Sequence, residues 1–174
     1  MFAANPPRSM KTSLRVLAAL LGYPDTVLRS HLAEMRELML DDRVLSPSRQ
    51  LEIVALINTL LRADPLLTEA AYVELFDRGR ATSLHLFEHV HGDSRDRGPA
   101  MIDLGQTYEK AGMILAEGEL PDYLPAVLEF ISTQPPREAR AFLAEMAHIF
   151  NAIFDALQRR ESAYASVLGK TVSG

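Results

Sequence analysis

The chain has 174 residues and contains no cysteine, which excludes disulfide bonds and zinc sites built on thiolates. Hydrophobic residues make up 48% of the chain and charged residues 24%, close to the average for globular proteins, so wholesale disorder is excluded. The formal net charge of -5 argues against a nucleic-acid binder that works by neutralising phosphates, and it suits a basic partner.

The first third of the chain predicts three helices, because apolar residues recur there at helical spacing. The first helix should end at Gly22 and Pro24, and its apolar face carries Leu14, Leu17, Ala18 and Leu21. The face of the second helix carries Leu28, Leu32, Met35 and Met39. Ser46-Pro47 has the form of an N-cap followed by proline, and it opens a third helix through IVALINTLL. That segment is apolar almost all round, which predicts a position at the centre of the bundle.

The middle of the chain predicts three more helical segments. Asp64-Pro65 repeats the start signal, and the helix behind it should bury Ala70, Val73 and Phe76. A further helix should end near His91-Gly92, where glycine can adopt the left-handed conformation. Asp93 or Ser94 can cap the next helix. The apolar residues of that helix are Met101, Leu104, Tyr108 and Leu115.

The last third predicts a turn, LPDYLP at 120–125, then a short helix, and finally the longest helix from Pro135-Pro136. No run alternates with period two, so the fold class is all-α, a single-domain helical bundle of about seven to nine helices. The domain should cover residues 1–174, with frayed ends at 1–11 and 169–174. We expect neither a signal peptide nor a membrane span, since no apolar run approaches the roughly 20 residues that a bilayer requires.

The stretch HLFEH at 85–89 has the H-x-x-E-H order of an inverted zinc protease motif. On a helix, His85 and His89 could reach one ion, with Glu88 as general base. The motif is short, and no downstream carboxylate stands in a recognisable third-ligand pattern. The favoured interpretation is a solvated face of His85, Glu88 and His89, with Leu84, Phe87 and Val90 packed inward. No phosphate-binding loop or serine nucleophile motif is present.

Three blocks of sequence resemble the respiratory nitrate reductase assembly chaperones, the NarJ branch of the TorD-like molybdoenzyme chaperones. LLGYPD at 20–25 is similar to the end of the family's first helix. YVELFDRGRATSL at 72–84, followed by HGDSRDRGPAMIDL at 91–104, is similar to its central signature. ELPDYLPAVLEF at 119–130 is similar to its second signature. The family pattern does not make His85 or His89 metal ligands, so the resemblance also argues against zinc.

The resemblance implies a cytoplasmic TorD-like chaperone that is not an enzyme and has no cofactor. Its partner would be the N-terminal, leader-like segment of the nitrate reductase catalytic subunit. The chaperone would keep that subunit competent for molybdenum cofactor insertion and for membrane assembly. It implies neither nucleic-acid binding nor insertion into a membrane, and it leaves both a monomer and a dimer open.

The peptide-binding residues implied by the matching blocks are Tyr72, Glu74, Phe76, Asp77, Arg78, Arg80, His91, Asp93, Arg95 and Tyr123. Tyr72 and Phe76 would offer aromatic anchors, and Glu74 and Asp77 would accept hydrogen bonds from lysine or arginine. For the aromatic residues, packing in the core is an equal alternative. A zinc-dependent hydrolase using HLFEH and a generic helical adaptor are the alternative functions.

Overall fold

The computed structural model describes residues 9–169, and within them the chain forms nine α-helices and one π-helical turn. The helices are α1 (Lys11–Leu20), α2 (Thr26–Leu40), α3 (Pro47–Arg62), α4 (Pro65–Tyr72), α5 (Leu86–Val90), α6 (Arg97–Lys110), α7 (Leu124–Ser132), α8 (Pro136–Arg159) and α9 (Ala165–Leu168). The π-helical turn, Val73–Asp77, continues α4 without a break. The prediction of an all-α fold is confirmed.

The predicted helix starts are confirmed where a capping residue precedes a proline. The Ser46 side chain accepts a hydrogen bond from the backbone N–H of Arg49, and Pro47 is the first residue of α3. Asp64 does the same for α4, where its carboxylate accepts from the N–H of Leu67 at 3.0 Å. Such caps satisfy N–H groups that have no partner inside the helix, which fixes where the helix begins.

The centre of the bundle is α7 rather than α3. Every residue of α7 except Glu129 is buried, and the helix packs along α1 and against α8. By contrast, α3 packs mainly on α2 and leaves Leu51 65% exposed, so the prediction that α3 is central was wrong. The short α7 is apolar around most of its circumference because other elements cover it there, and Glu129 is its one exposed residue.

The face of α4 and the π-helical turn also differs from the prediction. Phe76 is buried as expected, but Ala70 is exposed and Val73 is half-buried. The buried positions are Thr68, Tyr72 and Phe76, spaced four residues apart. The sequence offered two overlapping apolar stripes here, and the stripe that carries the large aromatic rings faces the core.

The predicted frayed ends lie mostly outside the described residues. Lys11 is the first residue of α1, and Gly169 donates its N–H to the carbonyl of Ala165. Among residues 9–169, no helix is both long and apolar enough to cross a bilayer.

Truncation of Ile131 tests the central position of α7. Ile131 is fully buried, so Ile131→Ala should lower the free energy of unfolding by about 2–5 kcal/mol through lost burial and a residual cavity. Ile114 is 93% exposed, and Ile114→Ala should change stability by less than about 0.5 kcal/mol. Urea denaturation of both variants measures the difference. Equal effects would contradict the assignment of α7 to the centre.

Candidate functional site: a cleft between α4, α5 and α7

Two adjoining cavities, of about 620 and 350 Å³, share Asp77 and His85 and together form what we call the central cleft. The larger part is charged, and its lining includes Arg78, Arg80, Glu88, Asp93 and Arg97. The smaller part is aromatic, and its lining includes Tyr23, Tyr72, Glu119, Leu120 and Tyr123. The central cleft therefore offers charges of both signs beside an aromatic wall.

The aromatic wall is built on Tyr72, which is only 4% exposed. Its hydroxyl donates to the carbonyl of Leu21 at 2.6 Å and lies 2.9 Å from the hydroxyl of Tyr123. Its ring contacts Phe76, with ring centroids 4.8 Å apart, and meets Tyr23 edge-on. Burial raises the pKa of Tyr72, so the phenol stays protonated and holds α1, α4 and the start of α7 together.

Asp122 connects the start of α5 with the start of α7, and its side chain is fully buried. Its backbone carbonyl accepts from the N–H of Leu86, and its Oδ2 accepts from the N–H of Phe87 at 3.1 Å. The N–H of Leu124 in turn donates to the carbonyl of Leu84 at 2.8 Å. These bonds surround an isolated antiparallel bridge between His85 and Tyr123, and they fix the two residues side by side in the cleft wall.

The remaining oxygen of Asp122, Oδ1, lies 3.5 Å from His85 Nδ1. This distance is longer than a strong hydrogen bond, but neither atom has a hydrogen-bond partner among the described residues. A carboxylate buried in this way favours the charged imidazolium. The pair with Asp122 is accordingly the main cause that raises the pKa of His85, against an opposing effect of burial.

The raised pKa makes the His85–Asp122 pair a pH-dependent contribution to stability. Because folding raises the pKa of His85 above its unfolded value of about 6.5, the stabilisation is fully present below that pH. It is lost as pH rises through the folded-state pKa.

The sequence did not predict this pair. The motif HLFEH predicts only a zinc ligand or a solvated side chain at His85, and no predicted role falls on Asp122 in the ELPDYLP block. The available signal is an acidic residue directly after Pro121 and just before a helix in which Glu129 is the one charged residue. An acid in such a position is often buried as a cap or a partner.

The structure does not bring the HLFEH side chains together as zinc ligands. Helix α5 begins at Leu86, so His85 lies before the helix, and His89 Nε2 is bonded to the carbonyl of Ser83 at 2.8 Å. Within residues 9–169, no group of three or more histidine, aspartate or glutamate side chains could hold a metal ion. The prediction that Val90 packs inward was wrong, because its side chain is half exposed. Leu86, which was not predicted to face inward, is buried.

The implied peptide-binding residues divide into two groups. Seven of them line the central cleft: Phe76, Arg78, Arg80 and Asp93 in its charged part, Tyr72 and Tyr123 in its aromatic part, and Asp77 in both. The other three line neither part. Glu74 pairs with Arg78 on the surface at 3.2 Å, His91 packs edge-on against Phe87, and Arg95 is exposed.

The loop before α6 corrects one local prediction and confirms another. Neither Asp93 nor Ser94 caps α6, since α6 follows Asp96 and makes no side-chain cap bond there. Gly92 has φ +53°, the left-handed conformation predicted for the end of the preceding helix. Freed from capping, the Asp93 side chain lines the cleft.

Gly79 explains how the arginine-bearing turn stays tight between Arg78 and Arg80. A Cβ at this position would lie 2.7 Å from the carbonyl oxygen of Leu75 and 2.8 Å from a guanidinium nitrogen of Arg160. A side chain would therefore force the turn away from α8, and glycine is required for close approach.

The all-α architecture is similar to that of a solved structure. The crystal structure of a proposed redox enzyme maturation protein from Archaeoglobus fulgidus superposes with a TM-score of 0.65, at 19% sequence identity. The match covers 97% of this chain and 92% of that one.

Sequence comparison identifies the family. A family model described as nitrate reductase delta subunit matches residues 42–168. The nitrate reductase molybdenum cofactor assembly chaperone NarJ of Escherichia coli K12 is 46% identical over 152 residues, which are 87% of this chain and 64% of that protein. A relative assigned the same role in Bacillus subtilis is 30% identical over 154 residues, 87% of this chain and 82% of the relative. The chain belongs to this family, whose NarJ members are assembly chaperones and not catalytic enzymes.

Removal of the Asp122 carboxylate tests the origin of the His85 pKa. Asp122→Asn keeps an oxygen that can accept from Phe87 but loses the negative charge, so the pKa of His85 should fall. The histidine ring signals in an NMR titration measure it. The stability advantage of the parent protein over Asp122→Asn, measured in urea, should shrink as pH rises from about 6 to about 9.

The matched control is Asp155→Asn, which removes an exposed carboxylate on α8 that lines neither part of the central cleft. It should leave the His85 titration unchanged. An unchanged pKa in Asp122→Asn would show that another group raises it.

Proposed function

We propose that this protein is an assembly chaperone for a nitrate reductase and that its central cleft binds the N-terminal segment of the catalytic subunit. The chain spans 64% of the length of the E. coli relative, and the family model covers all the cleft-lining residues except Tyr23. The proposal places the chaperone in the cytoplasm, where it would hold the subunit competent for molybdenum cofactor insertion before membrane assembly.

The observation that carries the proposal is that two carboxylates without an ion-pair partner lie in the same cleft as an aromatic wall. Asp77 lies at the junction of both parts of the cleft, and Asp93 lines the charged part. Neither makes an ion pair within residues 9–169. A lysine or arginine of a bound segment would supply the missing positive charge, and apolar side chains of the segment would pack on Tyr123 and Leu120.

The arginines of the cleft would donate hydrogen bonds to backbone carbonyl groups of the bound segment or form ion pairs with its acidic side chains. The existing contacts of the Arg97 side chain are long: one nitrogen lies 3.9 Å from a carboxylate oxygen of Glu88, and another lies 3.5 Å from the carbonyl oxygen of Gly92. Arg80 is exposed, and its side chain makes no ion pair within the described part of the chain. Such side chains can turn towards a ligand at little cost in existing contacts.

The buried aromatic residues would shape the cleft rather than enclose the segment. Tyr72 and Phe76 are each 4% exposed, so they form its floor, whereas Tyr123 is half-buried and can be contacted directly. This arrangement supports a specific chaperone over a generic helical adaptor. An adaptor would have no reason to respond to a charge inside the cleft.

A calorimetric titration with the N-terminal peptide of the catalytic subunit from the same organism tests the proposal. The native peptide should bind saturably, and a scrambled peptide of equal composition should not. Asp77→Asn should weaken binding by about tenfold, the effect of losing one hydrogen bond to a charged group.

Asp155→Asn serves again as the control, because it changes the net charge equally outside the cleft. It should bind like the parent protein. Equal weakening by both variants would indicate attraction by net charge alone, and binding of both peptides alike would favour the adaptor.

A further inference from the structure

Helix α6 is attached to the rest of the molecule by few side chains. Of its 14 residues only Tyr108 is buried. The Tyr108 hydroxyl donates to the carbonyl of Pro121 at 2.7 Å, and its ring packs on Phe130 with centroids 5.0 Å apart. One side of α6 therefore faces the segment 113–121 across an open space instead of a packed interface.

The end of α6 fixes the position of Ile114. Gly112 has φ +79°, and its N–H donates to the carbonyl of Glu109 at 3.0 Å, while the N–H of Met113 donates to the carbonyl of Tyr108 at 2.9 Å. This pair of bonds is a Schellman motif, in which a left-handed glycine reverses the chain. It directs Ile114 into solvent, where the side chain is 93% exposed.

The space beside Ile114 is a groove of about 450 Å³, which we call the α6 groove. Its apolar lining comes from Ile114, Leu115 and Pro121, and Gly105 of α6 leaves its floor open because it has no side chain. Ile102 lies three residues before Gly105, on the same face of α6, and is 62% exposed. Large aliphatic side chains this exposed next to a concave surface are typical of an interaction site.

The charges around the α6 groove are mostly negative. Glu109 lines the groove, and Glu117 follows two residues after Leu115 in the segment that forms its other side, against the ammonium group of Lys110 at the end of α6. None of these three makes an ion pair within residues 9–169. Burial raises the pKa of Glu119, and the charge of Glu129 raises it further, as expected for acids without a cationic partner.

We infer that the α6 groove is a second docking surface, which receives the apolar face of a cationic amphipathic helix from a partner protein. Apolar side chains of that helix fill the space beside Ile114, and its lysines or arginines meet the surrounding carboxylates. A second copy of this chain fits less well, because it would bring an equally acidic rim and a net charge of -5 against the first. The inference is independent of the central cleft, because the α6 groove and the cleft share no lining residue.

The probe is a synthetic amphipathic helix of leucine and lysine, about 18 residues or five turns long, with a leucine and glutamate counterpart. Titration of the full chain should show saturable binding of the lysine peptide only. Ile114→Ser should weaken binding by about tenfold, because the peptide loses a buried aliphatic contact. Glu109→Gln combined with Glu117→Gln should weaken it by about threefold and reduce its dependence on salt.

Two controls locate the site. Leu66→Ser removes an aliphatic side chain that is 76% exposed on α4, and Asp155→Asn removes an exposed carboxylate on α8 that lines neither the central cleft nor the α6 groove. Both should bind the lysine peptide like the parent protein. Unchanged binding by Ile114→Ser, or equal loss in Leu66→Ser, would overturn the inference, and so would self-association that Ile114→Ser abolishes. A failure of the central-cleft proposal would appear separately, as an unaltered response of the client peptide to Asp77→Asn.

Discussion

The central cleft depends on one buried carboxylate, that of Asp122. Its backbone and side-chain oxygens take up the first two N–H groups of α5, and its free oxygen faces His85. These contacts join the start of α5 to the start of α7. The central helix, α7, therefore fixes the position of His85 and Tyr123 in the cleft wall. The charged and aromatic parts meet at His85, next to this contact. A shift of Asp122 would therefore disturb both parts at once.

The two surfaces of the protein differ in the way each exposes its binding groups. The central cleft has a rigid aromatic floor, fixed by the Tyr72 hydroxyl, and flexible charged side chains above it. The α6 groove is lined mainly by apolar side chains, with Glu109 as its one charged lining residue. A rigid floor reduces the ordering that the protein itself must undergo on binding, which favours affinity for a segment that fits it. In the proposed chaperone, the central cleft would therefore select the client, and the α6 groove would add contact area.

Local patterns predicted much of the fold, and contacts distant in sequence account for what they missed. Ser46 and Asp64 start helices because capping is decided within four residues, and Gly92 ends one for the same reason. The position of α7 at the centre depends on which helices cover it, which an apolar period cannot show. The His85–Asp122 pair joins residues 37 positions apart, so no pattern within one helix or turn could bring the two together. The family resemblance implied seven residues that line the cleft. It did not imply Asp122, whose contacts with the start of α5 and with His85 fix the cleft wall.

The most direct test of the central claim is to map the bound segment onto the structure. Amide NMR signals of the protein would be followed while the N-terminal peptide of the catalytic subunit is added. The account predicts that the largest changes cluster at residues 76–80, 83–93 and 118–123, around both parts of the central cleft. Changes confined to α2, α3 or the outer face of α8, or no changes at saturating peptide, would contradict it.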